Sequence, residues 1–244
     1  MIVMVSRWNQ MWRLFFLRSS RNARFLDGIG FYHVMVPLLN ACNRRGADVR
    51  DIARRHLSYF NANPILASYI AGVVTNMEER RYAGEAIRPE QIEQVKGTLS
   101  SVLTARGDYF FDVILIPLGL TIGSIFAIYS SYIGPVVFLA FYNLYHFQSR
   151  IGGYIKGVRW GEGIGRELVT QLFREQRLLG GCAAFTSGLF AALVFTRASE
   201  LGGMVDSGWG VVAAAVMFGL PRKVSFMSSV VIVLLATVIY LIVT

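Results

Sequence analysis

Hydrophobic residues change their spacing several times along this chain, and each change predicts a different element. From Phe31 to Leu39 they are dense, which predicts a short apolar helix ending near Asn43 to Gly46. Asp48 is placed to cap a following helix that would carry Ile52, Leu57 and Phe60 and stop at Pro64. The apolar stretch from Ile65 to Met77 is too short to cross a bilayer at ~1.5 Å per residue. It is expected to be either a helix packed on a partner or a re-entrant element. Pro89 suits the first turn of a helix, and Ile92, Val95, Leu99, Val102 and Leu103 recur at three or four residues, predicting an amphipathic helix over 89–105. Gly107-Asp108 is expected to end it.

Beyond residue 108 the periodicity gives way to long, uniformly apolar runs. Tyr109 to Tyr129 covers about 30 Å at helical rise and predicts a first membrane span. Gly134-Pro135 opens a second span, which runs to Phe147. A third is expected over Leu179 to Phe195, a marginal fourth over 209–220 and a fifth over 224–243. Between the second and third lies the polar segment 148–177, where Gly153, Gly157, Gly161 and Gly165 repeat every four residues. On one helix they would form a smooth ridge that another backbone can approach closely, suited to packing against a partner. Gly161-Glu162-Gly163-Ile164-Gly165 follows no strand and lacks the G-x-G-x-x-G order, so a dinucleotide loop is not indicated.

The expected fold class is an all-α integral membrane protein in two regions: 1–108, with amphipathic or re-entrant helices, and 109–244, with four to five transmembrane helices and a cytoplasmic glycine-ridge helix at 148–177. A single soluble core could not absorb so much apolar sequence, and the runs are too long and uniform for barrel strands. The chain is 54% hydrophobic and carries a net charge of +9. Its basic residues concentrate before residue 109, in 148–177 and at Arg222-Lys223, the distribution of cytoplasmic loops; the N-terminus is expected inside and the C-terminus outside. No aromatic-interleaved basic groove points to nucleic acid. Trp8, Trp12, Phe15 and Phe16 among Arg7, Arg13 and Arg18 predict an interfacial anchor at the N-terminus. Cys42 and Cys182 are isolated and read as small buried hydrophobes.

The segment Arg54-Arg55-His56-Leu57-Ser58-Tyr59-Phe60-Asn61-Ala62-Asn63-Pro64, followed by Met77-Glu78-Glu79-Arg80-Arg81, carries a family pattern. It resembles the IID membrane subunit of mannose/fructose/sorbose-type sugar phosphotransferase systems, whose signature is roughly His-Leu-x-Phe-Phe-Asn-x-x-Pro, then Ala, Gly and Glu-Glu-x-Arg-x-x-Gly. His56, Leu57, Phe60, Asn61, Pro64, Ala67, Gly72, Glu78, Glu79, Arg81 and Gly84 fall on it. Ile87 to Asp108 continues the resemblance through Lys96, Leu99, Leu103, Gly107 and Asp108, and Gly134-Pro135 with Phe141 and Asn143 echoes a later motif. Departures are equally specific. The family's Trp-Asn-x-Glu reads Arg21-Asn22-Ala23-Arg24, a Gly-Pro-Leu-Ala-Gly-like loop reads Ser101-Val102-Leu103-Thr104-Ala105-Arg106, and an Arg-Pro reads Ile116-Pro117.

The resemblance implies a subunit of a bacterial phosphoenolpyruvate-dependent permease in the cytoplasmic membrane, paired with a IIC subunit in a hetero-oligomer. Separate IIA and IIB subunits would carry the phosphoryl group to a sugar of the hexose class. His56 is accordingly not expected to be phosphorylated, and no catalytic constellation, cofactor site or metal site stands out. Asn61, Glu79, Asp108 and Asn143 are the candidate substrate residues. Asp108 could equally cap the helix that follows it, and Glu78 and Glu79 could pair with Arg80, Arg81 or Arg54. The lost polar residues leave a second expectation open: a relative that no longer transports and acts as a regulatory or scaffolding membrane partner.

Overall fold

The computed structural model describes residues 2–44, 49–129 and 132–202. The expected spans at 209–220 and 224–243, the cap at Asp48, Arg222-Lys223 and the C-terminus lie outside these residues. The described chain is helical: α1 (Ile2–Arg13), α2 (Gly28–Asn43), α3 (Arg50–Leu57), α4 (Ala67–Tyr82), α5 (Pro89–Asp108), α6 (Ile116–Tyr129), α7 (Ile133–Trp160) and α8 (Ile164–Gly202). Two isolated backbone bridges, Asn22 with Leu26 and Leu26 with Phe60, join the loops. Contacts divide the described chain into one unit of residues up to 108 with 145–170, and a second of 109–144 with 171–202.

In the first unit, α4 is the buried centre. Its residues from Ala67 to Thr75 are all shielded, as are Met77 and Glu78, so the apolar run at 65–77 is a helix enclosed by its own chain. Phe31, Val34 and Met35 of α2 and Ile92, Leu99 and Leu103 of α5 complete the core. The close approach of α7 to α4 depends on glycine. A Cβ on Gly157 would lie 2.4 Å from the Tyr69 carbonyl oxygen, and one on Gly72 would lie 2.3 Å from the Tyr154 carbonyl oxygen. Three buried polar side chains tie α1, α4 and α7 together: the Tyr154 hydroxyl donates to Gln10 Oε1 at 2.5 Å, and Gln10 Nε2 donates to Thr75 Oγ1 at 3.2 Å.

The glycine ridge does not run as one helix. Gly153 and Gly157 lie on α7, which ends at Trp160; Gly161 has φ +55, in the left-handed region, and turns the chain before α8 begins at Ile164, with Gly165 in its first turn. Four-residue spacing fits a continuous helix and equally a helix interrupted by a left-handed glycine, so spacing alone did not distinguish them.

Gly107-Asp108 does not terminate a helix either. The helical run is unbroken from Pro89 to Tyr129, with a π-helical turn over Tyr109–Leu115 between α5 and α6. Pro117 accounts for the wider turn, since its ring cannot donate a hydrogen bond and would collide with the carbonyl four residues back. Phe60 is not on α3, which ends at Leu57 when Ser58 becomes extended.

In the second unit, α6 and α7 cross where Gly123 and Gly134 face each other; a Cβ on either would come within 2.9 Å of the other's carbonyl oxygen. Thr121 and Thr186 share a hydrogen bond of 2.9 Å between α6 and α8. Two stretches, Pro89–Tyr129 and Thr170–Val194, are long and apolar enough to cross a membrane. Leu120, Phe126, Leu139 and Leu144 are exposed, as is Cys182, contrary to its reading as a buried hydrophobe.

Candidate functional site

The signature residues assemble into a polar layer on the first unit. His56 and Glu78 are almost wholly enclosed and bonded to each other, with His56 Nε2 3.1 Å from Glu78 Oε1. Arg55, equally enclosed, donates to the same carboxylate oxygen from Nε at 3.0 Å and Nη2 at 2.8 Å. Burial pushes the imidazole of His56 down to about 4, so it is neutral at ordinary pH. Burial alone would raise Glu78, but its bond to His56 and the charge of Arg55 hold it below the usual carboxylate range. The result is one buried ion pair, Arg55 with Glu78, to which neutral His56 donates. Sequence proximity had suggested Arg54, Arg80 or Arg81 for the glutamates. Helical phase decides otherwise, because Arg54 points to solvent and pairs loosely with Asp51.

Glu79 projects from the other side of α4 and binds Arg7 of α1 at 2.6 Å. The remaining signature residues shape the backbone. Gly84 follows α4 at φ +99, with Gly84 N–H donating to Arg81 O and Glu85 N–H to Arg80 O, both at 3.1 Å. This is the paired-bond ending of a helix that requires a left-handed residue. Arg81 donates to the Ile87 carbonyl and braces the next loop. Asn63-Pro64 starts α4: Asn63 Oδ1 accepts the amides of Ile65 and Leu66, while its Nδ2 donates to Asp108 at 2.9 Å. Asp108 is therefore an acceptor within a continuous helix and not a cap. Gly107 permits this contact, since a Cβ there would meet the Asn63 side chain at 2.6 Å.

Asn61 sits on an open cleft of about 450 Å³ between the loop Ser58–Asn61 and α5. Its carbonyl oxygen accepts hydrogen bonds from Ser100 and Thr104, and its side chain receives a 3.4 Å contact from Arg21. Lys96 lines the same cleft; it is 4% exposed, and its Nζ lies 4.6 Å from the Phe31 ring centre and 5.3 Å from that of Phe60. Two 3.4 Å contacts, to the Arg55 carbonyl and the Ser58 hydroxyl, are its hydrogen bonds. Asp27 is also fully buried, held by Arg21 and Arg18, while its amide donates to the Phe60 carbonyl. Sequence reading passed over Asn63, Lys96 and Asp27 as candidates. Their signal is a polar residue inside an apolar face, visible at Lys96 between Ile92 and Leu99.

The four candidate substrate residues do not share one pocket. Asn61 and Asp108 lie along α5 about one turn apart, Asn61 bonded by Thr104 and Asp108 by Asn63, while Glu79 lies on α4 against Arg7. Asn143 belongs to the second, where its exposed amide donates to Leu139 one turn back. Gly153 and Gly157 face α4 of the same chain. A Cβ on Gly165 would meet Leu99 at 3.6 Å, and one on Gly161 would meet Asn76 at 2.6 Å.

The family model described as the PTS system mannose/fructose/sorbose family IID component matches residues 4–194. The mannose-specific EIID component of Escherichia coli (strain K12) is 31% identical over 175 residues, covering 68% of this chain and 62% of that protein. The fructose permease IID component of Bacillus subtilis (strain 168) is 28% identical over 181 residues, covering 73% and 64%. The matched stretch thus spans less than two thirds of these relatives' own length. Among solved structures, the chain resembles one in the cryo-EM complex of the mannose transporter ManYZ with microcin E492. The TM-score is 0.61 at 22% identity, over 96% of this chain and 94% of that one, a likeness of fold. A second, titled as the structure of a membrane protein, gives 0.67 at 23% identity over the same shares. With Arg55, His56 and Glu78 interlocked in the first unit and the family pattern running from residue 4 to residue 194, this chain belongs to the mannose/fructose/sorbose family of PTS IID components.

Proposed function

We propose that this protein is the IID-type subunit of a bacterial phosphoenolpyruvate-dependent sugar phosphotransferase permease, forming with a IIC subunit the unit that carries a hexose-class sugar across the cytoplasmic membrane. Soluble IIA and IIB partners would deliver the phosphoryl group, so this chain needs no phosphorylated residue of its own. The observation that carries the reading is the family match over residues 4–194, with His56, Glu78 and Arg55 at its structural centre. A neutral, enclosed His56 fits a structural role better than phosphotransfer. In this reading the chain is multi-pass, with four to five spans, its N-terminus cytoplasmic and its C-terminus external. It divides functionally at residue 108, and Asn61, Glu79, Asp108 and Asn143 serve the sugar. Of the ridge glycines, Gly165, where a Cβ would make only ordinary contact with Leu99, is left to the IIC partner.

Uptake of radiolabelled mannose, fructose and sorbose by cells expressing this chain with its neighbouring IIC, IIB and IIA genes tests the reading. Loss of one charged or amide hydrogen bond to a sugar weakens binding roughly tenfold. Asp108→Asn and Asn143→Ala should therefore each impair uptake while the complex is still recovered. Normal transport by both variants removes them from the site. A second reading has its own observation: Glu79, Asp108 and Asn143 are already bonded within the chain, and Arg24 and Ile116 replace polar or oppositely charged family residues. Failure of the intact operon to move any sugar, with the IIC complex still formed, would make the chain a regulatory or scaffolding partner.

A further inference from the structure

Between α1 and α7 the first unit leaves an open groove of about 680 Å³, with apolar walls and two basic residues. Its floor is Tyr154, almost wholly buried, with its hydroxyl bonded to Gln10. Trp8 and Met11 of α1 form one side, and Ile155 and Val158 of α7 the other; Trp8 is 65% exposed and Ile155 52%. Arg7 and Arg159 line the same groove, one from each helix. Arg159 is exposed and has no hydrogen bond or ion pair among the described residues. Arg7 donates from Nη2 to Glu79, while its Nε is shielded from solvent without an acceptor. One carboxylate therefore faces two guanidinium groups, which leaves a positive surplus beside a hydrophobic slot.

Depth and chemistry select the occupant. Trp8 at the groove, Trp12 one turn further along α1 and Trp160 next to Arg159 are all exposed, and exposed tryptophans in a membrane protein mark the level of the lipid headgroups. A docked helix would call for small residues opposite it. Instead α7 turns Gly153 and Gly157 to α4 and presents Ile155, Val158 and Arg159 to the groove. A free phosphate would satisfy the arginines and leave the walls in water; a neutral hydrocarbon would do the reverse. A zwitterionic lipid brings an ammonium group toward two guanidinium groups. An anionic phospholipid meets both needs, since its phosphate accepts from the planar guanidinium forks and its first acyl carbons cover the slot. The volume lies within the ~300–1,000 Å³ of small-molecule sites, room for a headgroup and the upper part of its chains. We propose that this groove is a site for one anionic phospholipid, its phosphate held by Arg159 and Arg7 and its chains lying on Trp8, Met11, Ile155 and Val158. The assignment is independent of what the subunit carries across the membrane.

The full chain, isolated from membranes with whatever subunit accompanies it and exchanged into detergent, is titrated with dioleoylphosphatidylglycerol, dioleoylphosphatidylcholine or glycerol phosphate. Melting temperature and, by native mass spectrometry, retained lipid are the readouts. Phosphatidylglycerol should stay on the protein and raise the melting temperature to a plateau, as a ligand of the folded state does. Phosphatidylcholine and glycerol phosphate should do neither at the same concentration. Arg159→Gln should weaken phosphatidylglycerol binding about tenfold and Arg159→Lys by less, while Ile155→Gln should weaken it through the apolar wall. Both positions are exposed, so the melting temperature without lipid should stay at the wild-type value. Equal effects of the two lipids overturn the site, as does a phosphatidylglycerol effect that survives both Arg159→Gln and Ile155→Gln. Glycerol phosphate acting as well as the lipid would reduce the groove to an anion site and overturn it too. A benzoylphenylalanine placed at Ile155 and irradiated in native membranes should label phospholipid; a crosslink to a polypeptide instead would assign the groove to a protein partner and sink the proposal.

Discussion

At the residue scale, three side chains on one carboxylate set the stability of the first unit. Arg55, His56 and Glu78 are nearly fully enclosed, so solvent does not screen them. Glu78→Gln would leave the Arg55 charge buried without a counterion, a loss of ~3–5 kcal/mol; thermal unfolding of the purified protein should show it as a sharp fall in melting temperature. The same residues predict a pH dependence. The folded-state value of His56 is depressed from 6.5 to about 4, so the unfolded chain binds the proton more readily. Stability from this group is present above pH ~6.5 and is lost as pH falls toward 4, by roughly 3 kcal/mol in all. Glu78, also depressed, adds a further loss below its ordinary carboxylate range. His56→Gln should flatten the melting curve between pH 6.5 and 4, and an unchanged slope would show that His56 is protonated in the fold. The residue types were legible in the sequence because they form a signature. Their partners were not, because Arg55 rather than Arg54 faces Glu78 only once α3 and α4 are set side by side.

At the scale of elements, the apolar periods at 31–39 and 89–105 and the short run at 65–77 all mark helices, and Gly134-Pro135 opens α7 as expected, while Gly107 reads as a helix end and Gly161 as part of a continuous ridge, and both readings fail. Gly107 instead makes room for Asn63 within a continuous helix, and Gly134 lets α6 and α7 touch. Gly161, like Gly84 at the end of α4, has the left-handed backbone conformation that ends a helix. A glycine that turns the chain and one that admits a neighbour are identical in sequence and differ only in what surrounds them. Two glycines on α7 make the distinction measurable. Gly157→Ala would press a methyl against the Tyr69 carbonyl and cost ~1–3 kcal/mol by overpacking. Gly152→Ala meets nothing within 4 Å and should stabilise the helix by about 0.5–1 kcal/mol. Denaturation of both variants should move in opposite directions; equal shifts would mean that α7 does not pack on α4 as described.

For the whole molecule, the membrane class and the family were legible because composition and signature act over long stretches, whereas convergence of the candidate site was not, since Asn61, Glu79, Asp108 and Asn143 are placed by tertiary packing. Reporter fusions after Ile2 and after Arg166 are expected on the cytoplasmic side, following the basic bias of those regions; opposite labelling of the two would change the parity of the spans between them. The π-helical turn at Tyr109–Leu115 has a consequence for how this chain tolerates loss of residues. An α-helix advances ~100° per residue, so deleting one residue from α5 or from α6 would rotate one set of contacts out of phase with the other. Inside the wide turn, the deletion can be absorbed by tightening it to an ordinary α-turn, provided Pro117 is also replaced. A single-residue deletion scan across 95–125, carried out with Pro117→Ala, should therefore yield folded protein when the gap falls within 109–115. Flanking gaps should strand Gly119 and Gly123 away from Phe138 and Gly134. The seven residues of that turn are in effect a length adjuster, a place where evolution or an engineer can shorten this helix while the turns on either side stay α-helical.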